Sequence, residues 1–197
     1  MNYLAHAYLS FDQPEILVGN MISDFVKGKT KFTYPQGIQN GITLHRAIDE
    51  FTDGHPATKK AATFFRPAYR LYSGAFVDVV YDHFLALDKN EFKDPGALQK
   101  FTLGVYKTLE EKFSLLPLRF QNTFPHMKQH NWLFNYQYPS GIEKSFGGLV
   151  YRAAYIHESA TAFEVFNKNY DQLKACYDMF FPSLKKFAAQ YIGELLA

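Results

Sequence analysis

Along most of this chain, apolar residues recur three and four positions apart, the spacing that gathers them on one face of an α-helix. Ile16, Leu17, Met21 and Phe25 form a first stripe behind Pro14 and Glu15, with Asp12 placed as N-cap and Gly28 as terminator. After the turn TYPQG, a second helix is predicted from Gln36 to Thr52, with Ile38, Ile42, His45, Asp49 and Thr52 on one face. Asp53-Gly54-His55-Pro56 breaks it. Ser73 is placed to cap a helix reaching about Leu87, and Asp94-Pro95-Gly96 punctuates the next gap. Leu98, Phe101, Val105 and Leu109 make another stripe. A long tail repeats the pattern through Phe163, Phe166, Tyr170, Leu173, Tyr177, Phe180, Leu184, Tyr191 and Leu195, with Pro182 expected to kink or split it.

No stretch alternates with a period of two between hairpin turns, and no repeat or glycine/serine linker divides the chain. The pattern therefore predicts one all-α domain over residues 1–197, a multi-helix bundle. Composition agrees: 47% hydrophobic, 20% charged and 18% aromatic residues exclude a disordered chain and supply a full core. No apolar run reaches the roughly 18–20 residues of a membrane span, and no signal peptide is visible at MNYLAHAYLS. A single cysteine, Cys176, excludes an internal disulfide and a thiolate zinc cluster. The expectation is a soluble, cytoplasmic protein. A net charge of +2 does not call for nucleic acid, and no nucleic-acid signature is present.

The chemistry concentrates in the first 83 residues, which hold His6, His45, His55 and His83. Polar pairs four apart recur there: Asn2 and His6, Asn20 and Asp24, His45 and Asp49, Asp78 and Asp82. Residues so spaced stack on one helix face and reach a common point. His45 and Asp49 continue the stripe of Ile38 and Ile42, which faces the core, and a buried carboxylate costs several kcal/mol unless it is paired or binds a metal. Each residue also has a plainer reading. His6 suits packing or capping, Asp24 a solvated helix end, His45–Asp49 an internal hydrogen-bonded pair, Asp53 and His55 turn chemistry. Of Asp82 and His83, neighbours about 100° apart on a helix, one would face in and one out. Taken together, carboxylates with imidazoles and no thiolate form a mixed oxygen/nitrogen donor set that favours Mn²⁺, Mg²⁺ or Fe²⁺. A cation so held polarises a phosphoryl oxygen and lowers the pKa of bound water, while Arg46 and Lys27 neutralise phosphate charge. On the residues alone, the expectation is an all-helical, metal-dependent phosphohydrolase.

The segments MNYLAH, VGNMISDFVKG, GITLHRAIDEFTD and VVYDHFL, in this order and spacing, resemble the acyl carrier protein phosphodiesterase family. The likeness is dense over the first 90 residues and echoes more weakly to about residue 150. It implies hydrolysis of the phosphodiester joining 4′-phosphopantetheine to a serine of acyl carrier protein, giving apo carrier protein and free phosphopantetheine. It further implies an HD-like helical fold with Mn²⁺ as foremost cofactor, residues 91–197 completing the core and a substrate channel. By position, it assigns His6, Asp24, His45, Asp49 and Asp82 to the metal site, with His83 beside them; in a mechanism built on that carboxylate–histidine set, His6 or His83 serves as general acid. The HD signature is His followed by Asp, whereas this chain has Asp82-His83 and His45-Arg46. An acidic carrier protein would find a docking surface in Lys27, Lys29, Lys31, Arg66 and Arg70. Two other functions share some of these features: a phosphohydrolase acting on a nucleotide or other small diester, which needs no basic docking face, and a non-catalytic carrier-protein binder, which needs no metal.

Overall fold

Eleven α-helices joined by short turns make up the computed structural model, which describes residues 1–197 and contains no strand. They are α1 (Tyr3–Tyr8), α2 (Pro14–Ile22), α3 (Gln36–Gly54), α4 (Pro56–Tyr69), α5 (Ser73–Leu87), α6 (Ala97–Glu111), α7 (Leu118–Gln129), α8 (Trp132–Asn135), α9 (Pro139–Arg152), α10 (Ala160–Lys168) and α11 (Tyr170–Leu196). Fifty buried apolar residues form one contiguous core, which includes most of the predicted stripes of α2, α3, α6, α10 and α11. The chain is thus all-α, as the periodicity predicts. No helix is long and apolar enough to cross a membrane.

Three local expectations are corrected. Asp12 does not cap α2: it adopts a left-handed φ of 57°, Gln13 takes the cap position and Pro14 opens the helix. The helix also stops earlier than the stripe suggests. It ends at Ile22 and tightens into a 3₁₀ turn at Ser23–Phe25, so Asp24 stands on that turn, off the face that carries Asn20. At the other end of the chain, Pro182 does not split α11, which runs unbroken from Tyr170 to Leu196. Buried Phe180, Phe181 and Leu184 pin both sides of the proline to the core and offset its one missing hydrogen bond. The tail divides instead at Asn169, between α10 and α11.

The crossing of α2 over α3 positions the chemistry. Gly19 and Gly41 face each other there: a Cβ on Gly19 would sit 2.1 Å from the Ile38 carbonyl oxygen, and one on Gly41 2.2 Å from that of Ile16. Only with both side chains absent do the two backbones approach this closely. One residue past Gly19 is Asn20, and one turn past Gly41 is His45.

Candidate metal centre

The short helix α1 lies beside that crossing, and buried polar contacts hold it there. Asp82, fully buried on α5, accepts hydrogen bonds from the amides of Leu4 (2.7 Å) and Ala5 (3.1 Å), two of the donors that a helix N-terminus leaves free. Burial raises the Asp82 carboxyl to about 7, against the lowering effect of those amides. Held in this way, α1 points His6 inward at the end of α2.

Asn20 then fixes both imidazoles. Its side-chain amide donates to the His6 carbonyl oxygen (2.7 Å) and to Ser10 Oγ (3.2 Å), so its Oδ1 is the acceptor that faces His6 Nδ1 at 2.8 Å. Its main-chain carbonyl accepts from His45 Nδ1 at 2.7 Å. Both Nδ1 atoms therefore carry a hydrogen, and both Nε2 atoms point the other way with a lone pair or a proton. The rings stack with centroids 3.8 Å apart and planes at 12°.

Those nitrogens converge on acid groups. His45 Nε2 lies 3.1 Å from Asp49 Oδ2 and 3.3 Å from Asp24 Oδ1, while His6 Nε2 lies 3.2 Å from Asp49 Oδ1. The His6 contact lacks the alignment of a hydrogen bond, so Nε2 is a buried polar atom without a partner. His6, His45 and Asp49 bring their donor atoms within 4.8 Å of one another. Asp24 adds an exposed carboxylate on the solvent side. Beyond Asp49, the Met1 amino group sits 3.3 Å from Asp49 Oδ1 and 3.2 Å from Asp78 Oδ1.

The electrostatics are sharply divided. Burial and the neighbouring His45 push His6 down to about 4. Burial also works against charge on His45, but the hydrogen bonds to Asp24 and Asp49 outweigh it and raise this imidazole to about 9. Asp49 is pushed up by burial, yet its contacts with His45 and His6 hold it well below the usual carboxylate range. One positive charge therefore sits between two carboxylates. The donors fit a metal ion: two fixed imidazole nitrogens, one of them orphaned, and carboxylate oxygens on the facing side, with no sulfur.

Thus His6, Asp24, His45 and Asp49 come together, while the other assigned residues lie outside the cluster. Asp82 spends both oxygens on α1 amides. His83 is buried against Phe166 and Tyr170. Its Nδ1 donates to the Tyr136 carbonyl (2.7 Å) and its Nε2 meets the Tyr170 hydroxyl (3.1 Å), leaving no nitrogen to act as general acid. Arg46 reaches the Val26 carbonyl at 3.2 Å, and with exposed Lys27 and Lys29 it flanks Asp24. Lys31 bonds Thr43 on α3, so this basic rim borders the cluster. Arg66 and Arg70 instead line a separate 550 Å³ depression with Asp53 and Lys59, which includes none of the cluster residues. The pivotal Asn20 was visible in sequence only as one half of an i, i+4 pair; its main-chain role leaves no mark on residue type.

Fold and cluster together define an all-helical protein in which two buried histidines face two partly exposed aspartates beside a basic rim. The chain belongs to the acyl carrier protein phosphodiesterase family, whose sequence profile matches residues 1–184. It is 30% identical to the acyl carrier protein phosphodiesterase of Serratia proteamaculans (strain 568) over 95% of this chain and 97% of that protein. Similar proteins of the same name occur in Klebsiella pneumoniae (strain 342), at 30% identity over 95% of this chain and 97% of that one, and in Escherichia coli O6:H1, at 28% over 96% and 98%. No solved structure matches the chain.

Proposed function

We propose that this protein hydrolyses the phosphodiester between 4′-phosphopantetheine and a serine of acyl carrier protein, at a divalent cation held by His6, His45, Asp49 and Asp24. Family membership supports the reaction. One observation carries the site: two imidazoles, both locked by Asn20 with Nδ1 protonated, present Nε2 to the same Asp49 carboxylate. Such an arrangement is costly as a structural device, because it buries an orphaned nitrogen, and it is what a metal site requires.

The bound cation, Mn²⁺ foremost, with Mg²⁺ or Fe²⁺ as alternatives, supplies Lewis acidity and a water of lowered pKa. The chain's own groups do the rest. Asn20 holds both imidazoles with Nδ1 as the donor, so His6 Nε2 is free to ligate, while His45 Nε2 gives up the proton it holds between the carboxylates when a cation binds. Asp24, on the exposed turn, closes the cluster from the solvent side, where a phosphodiester arrives. Arg46 and Lys27 border that entrance and offset charge that builds on phosphate oxygens in the transition state. Lys29 and Lys31 extend the basic rim towards an acidic carrier protein and favour its approach. A cytoplasmic setting belongs to the same reading: Cys176 is a buried free thiol, the state a reducing compartment maintains.

The test is conversion of holo to apo carrier protein with Mn²⁺, with EDTA, and in Asp49→Ala and His45→Ala proteins. Loss of activity in all three of the latter is expected. Full rates after chelation, or in both variants, remove the proposed cation site.

A further inference from the structure

Between the start of α1 and one face of α9 lies a 440 Å³ cavity, within the roughly 300–1,000 Å³ usual for small-molecule sites. From α9 it is lined by Gly141, Lys144, Ser145, Gly148 and Arg152, all on one helix face by their three- and four-residue spacing. Tyr3, Trp132 and Tyr136 supply aromatic walls, and Asn2 and Asn135 bring side-chain amides. Neither Lys144 nor Arg152 forms an ion pair; the pairs made by lysine side chains elsewhere use Lys107, Lys128, Lys174 and Lys185. Two uncommitted cations over aromatic and amide groups suit a ligand with an anionic end and an amide-bearing chain.

Helix α1 connects the cavity to the metal centre. Tyr3 and His6 lie three residues apart on the same six-residue helix. The Tyr3 ring meets Phe120 (centroids 6.4 Å), which meets Phe25 (5.2 Å), the neighbour of Asp24. The Tyr3 phenol, raised to about 12 chiefly by burial, also feels the charges of Arg152, which lowers it, and Asp24, which raises it.

We infer that this cavity receives the pantetheine arm, with its phosphate end directed past Tyr3 towards Asp24 and Arg152 countering the phosphate charge. The inference rests on the carrier-protein reaction proposed above and adds the place where the released group is recognised. The arm's gem-dimethyl carbons pack on the aromatic walls, and its two amide groups pair with Asn2, Asn135 and Ser145. Such binding separates a phosphopantetheinyl diester from one that lacks the arm.

Trp132 is the single tryptophan of the chain, so its emission reports directly on occupancy. Free 4′-phosphopantetheine titrated into EDTA-treated protein should change that emission saturably. Gly148→Leu places a side chain in the cavity at a position where a Cβ meets nothing closer than Arg152 Nη1 at 3.9 Å, and leucine suits a helix better than glycine. It should abolish the titration, and Arg152→Ala should weaken it at least tenfold. In Gly148→Leu, turnover of holo carrier protein relative to bis(4-nitrophenyl) phosphate, a diester without the arm, should fall at least tenfold. Unchanged affinity in both variants, or an unchanged ratio, overturns the inference while the reaction stands. If wild-type protein leaves holo carrier protein intact, the reaction falls, and the titration alone still decides the cavity.

Discussion

Replacing Asn20 with alanine removes the side chain that orients His6 while leaving the main-chain carbonyl that orients His45. Three hydrogen bonds disappear, to His6 Nδ1, the His6 carbonyl and Ser10 Oγ, at a position with no solvent exposure. The His6 carbonyl keeps its bond from Ser10 Oγ at 2.9 Å, so the buried group left without a partner is the His6 Nδ1–H. Orphaning that donor costs about 1–3 kcal/mol, and the remaining lost bonds about 1 kcal/mol more, giving ~2–4 kcal/mol. In a chain of this length, that lowers Tm by about 5–15 °C. Freed to rotate or change tautomer, His6 no longer presents Nε2 reliably, and Mn²⁺ affinity should fall about 10–100-fold. Asn20→Asp separates the two roles. A carboxylate still accepts from His6 Nδ1 but cannot donate to the carbonyl or to Ser10, so it should lose stability yet keep more of the metal affinity than alanine does. Calorimetric Mn²⁺ titrations and thermal melts with and without Mn²⁺ measure both quantities. An alanine variant that binds Mn²⁺ like the wild type, or loses no more affinity than the aspartate variant, refutes the assigned role of Asn20.

Gly41→Ala forces a Cβ to 2.2 Å from the Ile16 carbonyl oxygen, so α2 and α3 must separate; a cost of about 1–3 kcal/mol or more is expected in urea unfolding, together with weaker Mn²⁺ binding as His45 leaves the Asn20 carbonyl. Charge reversal at Lys29 and Lys31 should lower kcat/KM for carrier protein about tenfold at low salt and flatten its salt dependence, with kcat retained; a small diester should not register the change. His83 has its pKa lowered by burial, against the raising effect of its Tyr136 bond. Its contribution to stability is thus full above the unfolded value of about 6.5 and declines as pH falls below it, so His83→Gln should make the acid-side loss shallower by up to about 1.4 kcal/mol per pH unit in paired unfolding curves at pH 7.5 and 5.

Periodicity sufficed for the fold because each stripe is a local property of ten to twenty residues. Ile38, Ile42 and His45 do face inward on α3, with Asp49 partly exposed at the edge of the stripe, and a polar pair continuing an apolar face is a legible signal of a site. What was not legible depends on geometry that spacing does not encode. The α2 stripe runs on through Phe25, but the helix ends at Ile22, and it is the 3₁₀ turn that swings Asp24 towards His45. Asp82 shares the four-residue spacing of the clustered residues and is drawn to main-chain amides at the start of α1 instead. His83 turns to the other side of α5 and joins Tyr136 and Tyr170, which come from more than 50 residues further along the chain. Pro182 reads as a break only when its buried neighbours are ignored.

The two stacked histidines show how one local charge balance decides the chemistry. They are the same side chain, 3.8 Å apart, each with Nδ1 bound to the same asparagine, yet one is held near 9 and the other near 4. The difference lies in what faces Nε2. His45 looks at two carboxylates in hydrogen-bonding distance and takes up a proton between them. His6 looks only at Asp49, out of line, from a fully enclosed position beside a ring that is already charged. A single proton satisfies one imidazole and strands the other. On the proposed reading, a divalent ion at the same place would displace the His45 proton and answer both imidazoles and both carboxylates at once, without leaving a buried nitrogen orphaned.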